Sequence, residues 1–526
     1  MSLVEVLVGL IAACVALALI ARAVQIPPAV ALVFGGMAFA FIPGVPRVEL
    51  DPHIALALFL PPLLQVSAFR TDWDAFRLEL RPILLLALGA VLFTAFAVAV
   101  AAKLLVPSLP WSACIALGAI VAPPDAVAAT AVLKAIRIPR RLMTILEGES
   151  LLNDASSLIL YRFAVSAATA ASVSFTDAGT SFVLSSVGGG VIGYAIGRAV
   201  IVATRALDDT LLEIAAIVLA GFVGYIVAEY LHMSGVLAAV ACGLVIGRYQ
   251  HQAFSARTRV ESAAVWNFVE FLLTSLVFIL IGLQLRDVVE RLDEGVVGLA
   301  ATALAVSGAL ILSRFVWVFA SAGIARAVPA RLRLGQAAMP VSYMVVISWA
   351  GMRGVVSLAA ALALPIGFPG RDLIIFLAFC AILVTLVLQG TTLGWVIRRL
   401  DVVEVSEQSA VAHEAVVRRA GAEAALAAVE SRIYAGRVLG LPDADMLREF
   451  RRRAESARQM EHGVGLMARR NAARLRLERE AVQAARGAVL ERARTVDGEV
   501  LQSIIEEFDF EEGRLDRALG HPHQPG

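Results

Sequence analysis

Two pairs of oxygen-bearing side chains recur at helical spacing within one apolar segment. In EGESLLNDASS, residues 147–157, Glu149 and Asn153 are four residues apart, and Ser150 and Asp154 repeat that spacing on the neighbouring stripe. All four side chains would therefore lie on one side of a helix. Their oxygens suit a hard cation such as Na⁺. A charge at the centre of a bilayer costs about 3 kcal/mol or more, which makes such acids functional candidates; the alternative is polar contacts that join helices.

Another acid, Asp125, lies midway along a neighbouring apolar run, in GAIVAPPDAVAAT. Pro123 and Pro124 have no backbone donor and clash with the preceding turn, so the helix is expected to break just before this carboxylate. A broken helix presents carbonyls and dipole ends at membrane depth, as ion-binding transporters do. We therefore predict that Asp125, Ser150 and Asp154 hold a transported Na⁺; the alternative for Asp125 is a simple proline kink.

Buried arginines need acceptors, because a guanidinium keeps its charge inside a protein. Arg353, within SWAGMRGVVS, is predicted to pair with Glu149, which would leave Asp154 as the exchangeable site. Arg162 and Arg314 also fall inside apolar runs, where contacts with backbone carbonyls or an interface are the favoured interpretation. Glu270, nearer the end of a run, stays open between a functional and a structural role.

Composition identifies the class of protein to which this chain belongs. Of its 526 residues, 59% are hydrophobic and 17% charged, with a mean hydropathy of +0.80, which predicts an all-α polytopic membrane protein whose surroundings are the lipid bilayer. The net charge of +1 gives no basic field, so nucleic acid is not expected as a partner. The four cysteines show no disulfide or metal spacing, and no cofactor is predicted.

About thirteen apolar runs are long enough to cross a bilayer. Of the Lys and Arg in the loops between them, eighteen fall on one side and five on the other. Short cytoplasmic loops are rich in Lys and Arg, so the N-terminus is predicted outside and the C-terminus in the cytoplasm, in the inner (plasma) membrane. The runs are 4–24, 28–44, 52–68, 82–106, 111–133, 143–171, 179–204, 211–230, 233–249, 264–285, 296–324, 338–365 and 371–397.

Charge density divides the chain near Asp401. Residues 401–526 hold 19 of the 45 Lys and Arg residues and 22 of the 44 Asp and Glu residues. Their helical periodicity predicts a cytoplasmic helical tail with solvated faces, after a membrane domain of residues 1–400.

Several motifs of the first 400 residues resemble those of the monovalent cation/proton antiporters, the family of bacterial and animal sodium/proton exchangers. The resemblance implies exchange of Na⁺ or Li⁺ for H⁺, electroneutral and without enzymatic activity, by a homodimer. It also implies cation and proton binding at Asp154, with Asn153, Asp125, Ser150 and Glu149 around it, and a Glu149–Arg353 pair. The motifs are FLPPLL at 59–64, Pro-Asp at 124–125, EGESLLNDA at 147–155, HMSGVLAAVACGLVIG at 232–247 and GMRGVVSLA at 351–359.

The fold implied by this resemblance has two inverted repeats, about 1–171 and 211–400, joined by a linker helix at about 179–204. The fifth and twelfth helices would be broken and would cross at mid-membrane. The sequence departs from the family pattern at Pro124-Asp125-Ala126, where Thr-Asp-Pro is common, and at Gln65-Val66, where relatives carry Phe and an acid.

Three functions are compared. In an antiporter, Asp154 would hold either a proton or a cation, and only the neutralised site would cross the membrane cheaply. K⁺/H⁺ exchange is the nearest alternative. An intramembrane aspartyl protease that uses Asp125 and Asp154 is more distant, because its GxGD context is missing.

Overall fold

In the computed structural model, the chain is helical and no strand occurs in the part that is described. By contacts the chain divides into two compact units, Met1–Val403 and Glu404–Gly526; the sequence predicts this boundary near Asp401. The described residues are 3–24, 26–42, 52–125, 129, 133, 136, 138–169, 175–207, 209–284, 286, 296–327, 339–402, 407–434, 443–462, 466–491 and 498–519.

The first unit is a bundle of fifteen helices within the described ranges. Each of the thirteen predicted apolar runs contains helix. The bounds agree to within about four residues except at the interruptions and at the run 264–285, whose helix begins eight residues earlier, at Ala256. The helices are α1 Leu3–Val24, α2 Pro28–Ala40, α3 Pro52–Arg70, α4 Trp73–Leu78, α5 Leu80–Leu105, α6 Trp111–Val121, α7 Arg140–Thr169, α8 Phe175–Thr204, α9 Thr210–Tyr230, α10 Gly235–Ala253, α11 Ala256–Leu283, α12 Val296–Ala327, α13 Val341–Trp349, α14 Val355–Leu362 and α15 Arg371–Arg399.

Seven of the described helices are long and apolar enough to cross a membrane by length and composition: α1, α5, α8, α9, α11, α12 and α15. The number thirteen and the inverted repeats stay predictions. Most of residues 126–137, which include Ala126 and the end of the predicted fifth span, lie outside the described residues.

Two predicted runs are interrupted. The run 111–133 leaves helical geometry after Val121, just before the two prolines. The run 338–365 is divided into α13 and α14 by a non-helical stretch at 350–354. Helix α15 contains a π-helical turn at Thr385–Gln389, and such turns often mark functional sites. The sequence missed α4, which begins where Asp72 Oδ1 accepts hydrogen bonds from the amides of Asp74 and Ala75 at 3.0 and 3.2 Å.

Small residues let the helices of this unit approach closely. Gly36 of α2 and Gly282 of α11 face each other, and a Cβ atom at either position would overlap the backbone of the opposite helix. Membrane helices associate through such close van der Waals packing, because lipid provides no hydrophobic drive between them. Phe278, on α11 one turn before Gly282, is a fully buried core residue.

The second unit forms two helical hairpins, as a helical tail predicts. Helices α16 Glu407–Tyr434 and α17 Asp443–His462 are joined by Arg451–Glu430 and Arg458–Glu423 ion pairs of 3.0 and 2.7 Å. Helices α18 Leu466–Glu491 and α19 Gly498–Leu519 are joined by Arg479–Asp516 at 2.9 Å.

Candidate functional site: a carboxylate cavity between two interrupted helices

The two interruptions meet through their backbones. The amide of Asp125 donates a hydrogen bond of 2.7 Å to the carbonyl of Met352 in the other interruption. A Cβ atom on Gly354 would overlap the Asp125 carboxylate, so only glycine allows this approach. The predicted break before Asp125 is present in the structure, and its carboxylate lies against the second break.

Side chains satisfy the carbonyls that the first interruption frees. Pro123 cannot donate to the carbonyl of Ala119, which instead accepts from Ser157 Oγ at 2.7 Å. The carbonyl of Pro124 accepts from Asn153 Nδ2 at 2.9 Å. Since a backbone group without a partner is costly in a low-dielectric interior, these two α7 side chains hold the broken segment in place.

Arg353 binds carbonyls rather than a carboxylate. Its guanidinium donates to the carbonyls of Val121 at 2.7 Å and Ala122 at 3.1 Å, and also to that of Gly351. These groups include the C-terminal end of α6, where the helix dipole favours a cation. Its own amide donates to Thr385 Oγ1, in the π-helical turn, at 3.1 Å.

The predicted Glu149–Arg353 ion pair is wrong, because Arg314 of α12 takes that place. Arg314 Nη1 and Nη2 donate to Glu149 Oε1 and Oε2 at 2.6 and 2.7 Å, and Nε donates to the carbonyl of Ile347 at 3.0 Å. Glu149 and Arg314 are almost completely buried. The planar fork of arginine suits this bidentate contact, while Arg353 is used by the interrupted helix. The sequence places both Arg314 and Arg353 inside apolar runs, and spacing alone could not show which of them pairs with Glu149.

The two polar stripes of α7 face different surroundings. Ser150 and Asp154 line a cavity, together with Asp125 from the first interruption. Glu149 and Asn153 are not among the lining residues, since they contact Arg314 and the Pro124 carbonyl instead. The structure therefore brings three of the five predicted binding residues to one cavity and gives the other two structural contacts.

The cavity is lined by residues of α3, α7, α11 and α14 and of the two interruptions. Asp154 is 7% exposed, and no described basic side chain forms an ion pair with it. The polar lining residues are Ser67, Arg70, Asp125, Glu147, Ser150, Asp154, Glu270, Thr274 and Ser357.

Several lining residues were missed from the sequence. Glu147 lies seven residues before Asp154 and so shares its helical face, a signal that spacing could have provided. Glu270, which the sequence leaves open between a functional and a structural role, also lines the cavity, where Arg70 Nη1 donates to its Oε2 at 2.5 Å. Arg162, by contrast, pairs with Glu229 at 2.9 Å in a half-exposed position, away from the cavity lining.

A bundle in which two interrupted helices meet beside buried carboxylates is the construction of a secondary transporter. Residues 9–399 match the family model "Sodium/hydrogen exchanger, transmembrane". The chain belongs to the sodium/hydrogen exchanger family. Members of this family are multi-pass membrane transporters, so this chain is a transporter and not an enzyme, and the protease interpretation is dropped.

Named relatives agree with this assignment. An uncharacterized Na⁺/H⁺ exchanger of Mycobacterium tuberculosis is 34% identical over 403 residues, 75% of this chain and 74% of the relative. The Na⁺/H⁺ antiporter NhaP of Pseudomonas aeruginosa is 32% identical over 74% of this chain and 95% of its own. A sodium, potassium, lithium and rubidium/H⁺ antiporter of Bacillus pumilus is 33% identical over 70% of this chain and 57% of its own.

A solved structure has the same fold. The sodium proton antiporter MjNhaP1 of Methanocaldococcus jannaschii superposes with a TM-score of 0.60 at 17% identity, over 76% of this chain and 98% of that one. At this level of identity the likeness concerns the fold alone.

Proposed function

We propose that this protein exchanges Na⁺ or Li⁺ for H⁺ by alternate occupation of Asp154. The observation that carries the proposal is that this buried carboxylate forms no ion pair with any described basic side chain. Arg314 is engaged by Glu149, and Arg353 by backbone carbonyls, so neither neutralises Asp154. A buried carboxylate without a counter-ion strongly favours a neutralised state, and a proton or an alkali cation can each provide one.

Competition for one site couples the two ion flows. When the cation is bound, Asp154 is deprotonated and Ser150 and Asp125 offer further oxygens from the same cavity. When the proton is bound, the carboxyl group is neutral and no cation is needed. Because only a neutralised site crosses a low-dielectric barrier at small cost, each crossing carries one ligand or the other. One-for-one exchange by this route is electroneutral, and an inward proton gradient drives Na⁺ outward.

K⁺/H⁺ exchange is the second candidate. The Bacillus pumilus relative is named for sodium, potassium, lithium and rubidium, and oxygen ligands alone accept any of these ions. The ion that competes best with protons at Asp154 distinguishes the two candidates.

The experiment is reconstitution of the full chain in proteoliposomes with an imposed pH gradient. Addition of NaCl, LiCl or KCl should dissipate the gradient, and we expect Na⁺ and Li⁺ to act at lower concentration than K⁺. Clamping the membrane potential with valinomycin and K⁺ should leave the Na⁺ response unchanged if exchange is electroneutral. No proton movement with any of the three cations, across pH 6 to 9, would refute the proposed function.

We further propose the arrangement that the loop charges and the family resemblance support. The N-terminus lies outside, and the tail of residues 401–526 lies in the cytoplasm. Each chain contains two inverted repeats, and two chains form a homodimer in the plasma membrane. Cysteine labelling from either side of sealed vesicles tests the orientation: a single cysteine introduced in the tail should react only from the cytoplasmic side.

A further inference from the structure

Thr274 of α11 is a lining residue of the cavity that carries a hydroxyl group. It lies on the same helical face as Glu270 and Phe278, four residues on either side, which also line the cavity. Its hydroxyl oxygen is buried and has no hydrogen-bond partner in the described part of the chain. Because an unsatisfied buried hydroxyl is costly, a ligand in the cavity that provides a partner for this oxygen would be favoured.

Other hydroxyl groups on the membrane helices behave differently. A serine or threonine in a helix commonly donates to the carbonyl four residues earlier. This bond is present at Ser156, Ser307, Ser348 and Thr391, with lengths of 3.2, 2.7, 2.8 and 2.6 Å. Thr274 does not form it, which leaves its hydroxyl available to a ligand in the cavity.

The cation proposed above to bind in this cavity could use the Thr274 oxygen as a ligand. Thr274 lines the cavity from α11, Asp154 and Ser150 line it from α7, and Asp125 lines it from the first interruption. A hydroxyl is a neutral oxygen ligand of the kind that Na⁺ and Li⁺ accept. A protonated Asp154 carboxyl group needs a single hydrogen-bond acceptor, whereas a bound cation needs several oxygen ligands at once. Loss of one oxygen ligand should therefore weaken the cation-loaded site more than the proton-loaded one.

We infer that the Thr274 hydroxyl oxygen is a ligand of the transported cation, contributed to the cavity by α11. This inference rests on the proposed exchange function and adds a residue that sets cation affinity relative to proton affinity.

The test compares Thr274→Val, which removes the oxygen and keeps the shape, with Thr274→Ser, which keeps the oxygen. In proteoliposomes the Val variant should raise the apparent KM for Na⁺ and Li⁺ about two- to tenfold, the effect of one neutral ligand, with Vmax retained. The Ser variant should stay within about twofold of the wild type. The melting temperature of the Val variant should be unchanged or higher, because an unsatisfied buried hydroxyl has been removed.

The matched control is Thr391→Val, the same substitution at a hydroxyl that is already bonded to Val387 and is not a lining residue. It should leave the KM for cations unchanged. If Thr274→Val has the wild-type KM, the inference is wrong although exchange itself stands. If the Val variant does not fold, Thr274→Ala replaces it, and equal KM values for the Ala and Ser variants would overturn the inference. A wild-type protein without cation-evoked proton flux refutes the proposed function instead.

Discussion

Two adjacent faces of helix α7 carry similar polar residues at the same spacing and perform different tasks. The Glu149–Asn153 face is closed by Arg314 and the Pro124 carbonyl, while the Ser150–Asp154 face opens on the cavity. Both faces are buried within apolar helices, so residue type does not separate them. Their partners do, because Arg314 and the Pro124 carbonyl bind one face, while the other lines the cavity in which we propose that the cation binds.

In the proposed exchange mechanism, the closed face also makes the open one specific. A charge on Glu149 without Arg314 would compete for the same cation, and a free Arg314 would neutralise Asp154. The buried pair of Glu149 and Arg314 removes both possibilities, and the carbonyls of the interrupted helix occupy Arg353 in the same way. The predictions below test this division between closed and open faces.

The largest effect is expected on the closed face. Arg314→Ala would leave Glu149 as an uncompensated buried charge, which costs about 3–5 kcal/mol. We expect a strong fall in melting temperature and in the yield of folded protein in detergent, measured by fluorescence-detected size-exclusion chromatography after heating.

Arg162→Ala is the control for this variant, since Arg162 also pairs with a glutamate but is half exposed. It should cost about 1 kcal/mol or less. Combining Arg314→Met with Glu149→Met should recover much of the stability, because neither charge then remains buried. An Arg314→Ala protein as stable as the Arg162→Ala protein would contradict the closed-face assignment.

Two serine substitutions on α7 separate the faces at smaller scale. Ser157→Ala removes the donor to the Ala119 carbonyl and should lower stability by about 1 kcal/mol without changing the KM for cations. Ser150→Ala removes an oxygen from the cavity and should raise the KM about two- to tenfold with little change in melting temperature. Transport assays and thermal unfolding measure the KM and the stability of both variants. A raised KM for Ser157→Ala together with a lowered stability for Ser150→Ala would contradict the assignment of the two faces.

The smallest effect is expected in the tail, where a similar ion pair is exposed. Hydrogen bonds from Arg458 and Arg419 lower the pKa of Glu423 below its ordinary value. The pair therefore stabilises the α16–α17 hairpin above the ordinary glutamate pKa and loses that contribution as acidic pH protonates the carboxylate. Glu423→Gln should speed amide exchange in residues 407–462 by less than about threefold near pH 7. If Glu423→Gln and Arg314→Ala caused an equal loss of stability, burial would not explain the expected difference between the two ion pairs.

The sequence predicted the elements of the fold well, because apolar runs and prolines act locally. The helix bounds, the break before Asp125 and the helical tail follow from hydropathy, missing backbone donors and periodicity. Helix α4 was missed, since its six residues depend on the Asp72 cap rather than on a periodic apolar pattern.

The partners within the site could not be predicted in the same way. Spacing placed Glu149 and Asp154 on neighbouring stripes but could not show which stripe faces the cavity. The choice between Arg314 and Arg353 depends on how α12 passes beside α13 and on which carbonyls the interruption frees. Thr274 carries no sequence signal, because a hydroxyl within a helix is usually bonded to its own backbone.

The most direct test of the central claim is cation-evoked proton movement by the Asp154→Asn variant in proteoliposomes, beside the wild type. The variant keeps the size of the side chain and removes the charge that proton and cation share. We predict that it is correctly folded and shows no exchange, while the wild type shows an apparent KM for Na⁺ that rises as the pH falls. Exchange at the wild-type rate by the variant would contradict the account.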